Sequence, residues 1–351
     1  MKNELSAIDP NFKVNTELNE SDIRFYDVKE SPFRIYGVFF ENGKFRRMPE
    51  DVAKAVSSGT WSLHSRTAGG RIRFRTDSPY VAIHAKMPKI LRGPHSTLCG
   101  SAGFDLYLYE EMDRYFGTFT PPYDMEDGYE SILRFPSSKM REVTINLPLY
   151  SEVSELYVGL SETATVCVPT PYKIETPIVY YGSSITQGGC ASRSGSSYPS
   201  IVARRLNADY VNLGFSGNAK GEVEIAEYIS NLEMSAFVYD YDFNAPTPEY
   251  LQETHERMFR IIREKNPTLP ILMMSKPRYY LTAVDEKRLE IIRTTYRNAI
   301  ESGDKNVYML DGRQLMQLCR GEGTVDNVHP TDFGFASMAI AVGDVLEKIF
   351  E

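Results

Sequence analysis

Up to about Cys167 the apolar residues recur at every second position, in short runs separated by turn signals, as half-buried strands do. Phe33 to Phe40 is one such run and ends at the turn signal Glu41-Asn-Gly43. Arg71 to Thr76 alternates strictly. Ile72, Phe74 and Thr76 share one face, and three arginines share the other, which reads as a solvated outer face. Tyr80 to Met87 follows the turn Asp77-Ser-Pro79, so a hairpin with the preceding run is expected. Further strands are expected at 104–109, 142–147 and 155–160. Many short strands joined by turns argue for a β-sandwich of jelly-roll type.

The period then changes. Cys167-Val-Pro-Thr-Pro-Tyr-Lys-Ile-Glu-Thr-Pro177 carries three prolines, which remove backbone donors and stiffen the chain. It marks a boundary between a β domain over 1–172 and a second domain over 173–351, and so short a link predicts that the two pack together. Beyond it, apolar strands at 177–181, 209–213, 236–241, 271–275 and 307–311 alternate with helices near 198–206, 221–231, 248–265, 284–302 and 332–350. That alternation predicts a doubly wound α/β sandwich with a parallel sheet.

Composition narrows the function classes. The 351 residues carry a formal net charge of −8, which argues against a nucleic-acid surface. No apolar run is long enough to span a bilayer. Met1 to Pro10 shows no apolar leader core, so a cytoplasmic location is expected. Cys99, Cys167, Cys190 and Cys319 are scattered, without a C-x-x-C pair, and fit reduced thiols better than disulfides or zinc ligands.

Candidate chemistry gathers at strand ends. The strand opening at Pro177 stops at Gly182-Ser-Ser184, placing a hydroxyl beyond its carboxyl end, where open parallel sheets bind ligands. Serine is a weak nucleophile without an adjacent base, normally a histidine oriented by a carboxylate. Of five histidines, His84 falls in a strand pattern and His255 in a helix pattern, both structural or surface positions. His329 lies in the loop before the last helix, three residues after Asp326. A turn of that length can fold the carboxylate back onto the ring. Two further strands end in Asn212-Leu-Gly-Phe-Ser-Gly217 and Asp242-Phe-Asn244, offering a glycine amide and a side-chain amide as donors to an oxyanion. Asp240 and Asp242 read only weakly as a metal pair, with no histidine or glutamate at ligand spacing nearby. Neither a metal nor a cofactor is expected.

These four blocks, Gly182 to Gly188, Asn212 to Gly217, Asn244, and Asp326 to His329, resemble in order and placement those of the SGNH (GDSL-type) hydrolases. The resemblance implies a flavodoxin-like α/β/α sandwich with Ser184 as nucleophile, His329 as base and Asp326 as its orienter. It makes the amides of Ser184 and Gly217 and the Asn244 side chain the oxyanion donors. Two positions depart from the pattern: Ser183 stands where the family usually has Asp, and Asp242 where it usually has Gly. Gly103-Phe-Asp-Leu-Tyr107 is similar to the signature of the GxDLY domain that precedes such hydrolases, with Asp105 expected at a turn or interface. The two-domain arrangement resembles that of bacterial carbohydrate esterases. Gln187, Ser192, Ser194, Ser197 and Arg278-Tyr-Tyr280 are expected around the mouth, where polar and aromatic groups suit a sugar. The expected partner is a small-molecule or oligosaccharide ester, and the expected reaction is removal of a short acyl group, chiefly acetyl. The alternatives are a lysophospholipase, thioesterase or general short-chain esterase, and an inactive sugar-binding protein.

Overall fold

The computed structural model describes residues 7–14, 16–109 and 113–351. The segment Met1 to Pro10, read above for a leader, lies partly outside them. The first half forms two antiparallel sheets. One has the order Ile23–Asp27, Glu155–Ser161, Tyr80–Lys86, Gly128–Arg134. The other runs Val166–Cys167, Arg71–Thr76, Arg141–Asn146, Phe104–Tyr109, Asp113–Phe119, and Arg34–Tyr36 also pairs with Arg71–Thr76. Ile72, Phe74, Ile83, Leu106, Ile145 and Val158 fill the space between them.

Three local expectations are corrected. The run from Phe33 splits into Arg34–Tyr36 and Phe39–Glu41, because Gly37 turns the backbone at φ +70°. Phe39–Glu41 then pairs across Asn42 and Gly43 with Lys44–Arg46. The expected hairpin does not form: Arg71–Thr76 and Tyr80–Lys86 lie in different sheets. Ser78 makes the corner. Its hydroxyl donates to the Tyr80 carbonyl and accepts from the Ser161 amide (3.1 Å), and its amide donates to Thr76 Oγ1. Finally, the arginine face is not solvated. Arg71 and Arg73 are only 3 % and 4 % exposed, because Tyr172 covers Arg73 and Asp209 and Tyr210 of the second half cover Arg71.

That second half matches its expected elements closely. Its five parallel strands stand in the order Ala208–Gly214, Ile174–Gly182, Ala236–Asp240, Ile271–Met274, Val307–Leu310. Helices Tyr198–Leu206 and Asp332–Phe350 pack on one face, and Val223–Ser230, Pro248–Lys265 and Ala283–Glu301 on the other. Chain order reverses between the first and third strands, so a crevice opens at their carboxyl ends. Among the described residues no helix is long and apolar enough to cross a membrane.

Polar contacts tie the halves together. Arg71 pairs with Asp209 and lies 3.9 Å from the Tyr210 ring centre. Asp105 is fully buried and accepts from the Gly195 amide (2.8 Å) and from Arg193 (3.2 Å), an interface position. Arg47 donates to the carbonyls of Leu63 and Arg66 in its own half and of Asn212 and Gly214 in the other. All of these join the sandwich to the segments that carry the site.

Candidate active site

The strand Ile174–Gly182 ends beneath a single helical turn, Ser184–Gln187. Ser183 caps that turn by accepting from the Ile185 amide at 3.1 Å. Serine and aspartate cap helices about equally well, so the departure at Ser183 keeps the local structure. Ser184 is the first residue of the turn, and helix geometry leaves its amide without an intrahelical partner. Beneath the turn, Asp240 is buried and accepts from the Thr186 hydroxyl, while its second oxygen has no partner. Burial pushes its carboxyl up to about 7, against the opposing bonds from Thr186 and the Ser183 amide.

The histidine arrives from the far edge of the sheet. Between Val307–Leu310 and the last helix, the chain closes on itself through a bridge between Thr324 and Pro330 and a bond from the Val325 amide to the His329 carbonyl (2.8 Å). Asn327 adopts φ +66°, and Arg278 holds its carbonyl at 3.0 Å. The carboxylate of Asp326 is thereby folded back. One oxygen accepts from the amides of Val328 (3.0 Å) and His329 (2.7 Å), and the other meets His329 Nδ1 at 2.8 Å. Burial raises the Asp326 carboxyl. The His329 amide, the His329 ring and the Val328 amide outweigh it and bring the group down to about 2. An ionised carboxylate can only accept, so Nδ1 carries the proton and Nε2 is left to accept. Nε2 lies 2.9 Å from Ser184 Oγ. Hydroxyl, imidazole and carboxylate thus form one hydrogen-bonded line.

The donor loops stand beside it. Gly217 adopts φ +69°, and no atom lies within 4 Å of where a Cβ would be, so a reacting group can approach its backbone. Among the described residues the amides of Ser184 and Gly217 have no hydrogen-bond partner. Asn244 donates to the Phe215 carbonyl at 3.1 Å, which ties it to the Gly217 turn. Asp242 leaves that amide undisturbed, because its carboxylate pairs with Arg288 (3.1 Å) and accepts from the Lys276 amide (3.0 Å). No group of three or more potential metal ligands occurs among the described residues.

Part of the expected mouth is corrected. Gln187, Ser194 and Ser197 are buried. Gln187 braces the site from behind, donating to the Leu149 carbonyl (3.1 Å) and accepting from the Ser216 amide (3.0 Å). Ser194 donates to the Gly103 carbonyl across the interface. Tyr280 remains exposed. His255 is a core residue stacked 4.8 Å from the Tyr239 ring, its imidazole pushed down to about 3 by burial. His84 sits on its strand, bonded to Glu130.

Sequence reasoning missed what the first half contributes. The Tyr150 hydroxyl donates to the Ser184 carbonyl (3.2 Å), and His95 Nε2 lies 3.8 Å from Asp326 Oδ2. Neither residue stands in a recognisable pattern. Nor does Arg47, in Lys44-Phe-Arg-Arg-Met48.

Both halves of the chain match known families. Residues 175–347 match the GDSL-like lipase/acylhydrolase family, and residues 23–166 match the GxDLY domain, the N-terminus of SGNH-hydrolase-type esterases. A structure from Bacteroides ovatus assigned as a GDSL-like lipase is similar at TM-score 0.84 and 28 % identity, over 93 % of this chain and 98 % of that one. A salicylyl acyltransferase from a tetracycline biosynthetic pathway is similar at TM-score 0.78 and 20 % identity, over 95 % and 99 % of the two chains. A family two carbohydrate esterase from Clostridium thermocellum, in complex with cellohexaose, follows at TM-score 0.62 and 14 % identity, over 91 % and 99 %. At the last two identities the likeness is one of fold. No curated protein matches the chain. Through its second half the chain belongs to the GDSL-like lipase/acylhydrolase family, as an SGNH-type acyl-ester enzyme whose catalytic fold is preceded by a GxDLY domain.

Proposed function

We propose that this protein hydrolyses short-chain esters, chiefly acetyl esters, of carbohydrates through a covalent acyl-enzyme. The observation that carries the proposal is the continuous line from Ser184 Oγ through His329 to Asp326, at 2.9 and 2.8 Å. In this reading His329 Nε2 takes the Ser184 proton as Oγ attacks the ester carbonyl. The amides of Ser184 and Gly217 and the Asn244 side chain receive the developing oxyanion. His329 then returns the proton to the departing sugar hydroxyl. Water, activated by the same imidazole, attacks the acyl-serine and releases the acid and the free hydroxyl of Ser184. Asp326 keeps the imidazole in the required tautomer throughout. We place the division between the two domains at residues 172 and 173.

The carbohydrate assignment draws support from fold neighbours that include an acetyl xylan esterase from Butyrivibrio proteoclasticus. A hydrolysis panel tests it: acetylated oligosaccharides, p-nitrophenyl esters of rising chain length, an acyl-CoA and a lysophospholipid. The highest kcat/KM is expected on an acetylated oligosaccharide. A preference for the lysophospholipid or the acyl-CoA, or turnover of none of them, overturns the reading.

A further inference from the structure

The connection between strands Tyr80–Lys86 and Phe104–Tyr109 belongs to the sandwich, yet it is fastened to the loops around Ser184. Thr97 Oγ1 donates to the Ser192 carbonyl at 2.6 Å, and the Ser192 amide donates to Asp332, at the start of the last helix, at 2.8 Å. His95 approaches Asp326. The Ser101 carbonyl accepts from the Tyr150 amide (3.3 Å), and the hydroxyl of that same tyrosine donates to the Ser184 carbonyl. A pocket of about 290 Å³ opens in this connection, lined by Arg92, Pro94, Ser96, Leu98, Ser101 and Tyr123 among others.

The lining has a definite chemistry. Ser101 is 1 % exposed, and its hydroxyl is a buried polar atom without a hydrogen-bond partner. Such a group is costly unless a ligand or water completes it. Tyr123 is 79 % exposed and lines this pocket. Arg92 uses one donor on the Met125 carbonyl and keeps others. No carboxylate lines the pocket, which disfavours a cation. Its size lies at the lower end of small-molecule sites and suits one ring rather than a long chain.

We infer that the 290 Å³ pocket is the subsite for the alcohol half of the ester, and that it takes a single hydroxylated sugar ring. The ring stacks on Tyr123, and one hydroxyl of the sugar completes Ser101. The inference rests on the esterase reading above, and it assigns substrate recognition to the sandwich half.

The test uses the full-length chain as wild type, Tyr123→Ala and Ser101→Ala. The first readout is the ratio of kcat/KM on an acetylated xylo-oligosaccharide to kcat/KM on p-nitrophenyl acetate. Losing one aromatic stack should lower this ratio about fivefold for Tyr123→Ala, mostly through KM, with a similar fall for Ser101→Ala. A ratio unchanged in both variants overturns the subsite while leaving the esterase reading intact. The second readout is calorimetric titration with unacetylated xylose-, glucose- and mannose-based tetrasaccharides, which needs no turnover. Binding of at least one by wild type, weakened about fivefold in Tyr123→Ala, supports the subsite even where no ester is hydrolysed. Binding of none by wild type, or equal binding by wild type and Tyr123→Ala, overturns it.

Discussion

Replacing Arg47 with methionine should weaken the protein and slow it together. The guanidinium is 2 % exposed and makes four hydrogen bonds to main-chain carbonyls: Leu63 (2.9 Å), Arg66 (2.7 Å), Asn212 (2.9 Å) and Gly214 (2.6 Å). It also lies 4.7 Å from the Phe215 ring centre. Methionine keeps much of the volume and none of the donors, so four carbonyls lose one donor each. Charge-assisted bonds contribute about 1.5–3 kcal/mol apiece, and relief from burying the cation offsets part of the sum. A net loss of about 3–5 kcal/mol remains, because buried carbonyls left without a donor cost about 1–3 kcal/mol each. With an m value of about 3 kcal/mol/M, the urea midpoint falls by about 1 M or more. Trp61, the only tryptophan, sits two residues before Leu63 and reports this region by fluorescence. Asn212 and Gly214 lead directly into the Gly217 turn, so kcat should drop as well. A variant within about 1 kcal/mol of wild type, with unchanged kcat, would refute the view that this guanidinium holds the halves in register.

Ser184→Ala should abolish ester hydrolysis with little change in the urea midpoint, because a single methyl-sized change at a polar turn leaves the core intact; residual turnover near wild type would count against the nucleophile assignment. On folded protein, Asp326→Asn should cost less in kcat than His329→Ala, since the carboxylate orients the base without taking the proton; the reverse order would mean the pair is misassigned. Gly217→Ala must hold φ +69° with a side chain and should lower kcat more than it raises KM, as stopped-time assays on p-nitrophenyl acetate would show. Asp240 should make stability depend on pH. Its carboxyl keeps a proton up to about 7 in the native protein, whereas the unfolded chain loses its own near 3.8, so stability falls as pH rises between those values. Asp240→Asn should flatten the urea midpoint across that window, and an unchanged slope would refute the shift.

The second half was legible because each of its elements announces itself locally. Ile225 and Ile229 recur at helical spacing and are buried, and strands such as Ala236–Asp240 are buried throughout. The convergence of the candidate residues was legible for a related reason. Ser184, Gly217, Asn244 and His329 all follow strands of one parallel sheet, and topology brings such ends to one edge. What stayed hidden depends on contact between distant segments. The alternation at Arg71 to Thr76 locates the core face, through Ile72 and Phe74, but cannot tell that Tyr172 and Tyr210 will cover the other. Likewise Tyr80 to Lys86 reads as a strand, while the choice between pairing with its neighbour and crossing to the opposite sheet lies with Ser78 and Ser161. Tyr150 reaches Ser184 across 34 residues and the boundary between the halves, and no local pattern encodes that.

The bond between Ser184 and His329 spans 145 residues, and that between Arg47 and Gly214 spans 167. Contacts of such separation are paid for in loop-closure entropy before they return anything, so they form late in folding. The sandwich leaves the ribosome first, and the strand that carries Ser184 follows it. His329 closes the constellation only when almost the whole chain is available. Regain of ester hydrolysis should therefore be the slowest event on refolding, trailing both helix content and the signal of Trp61, and the enzyme's own activity becomes a clock for its last step of assembly.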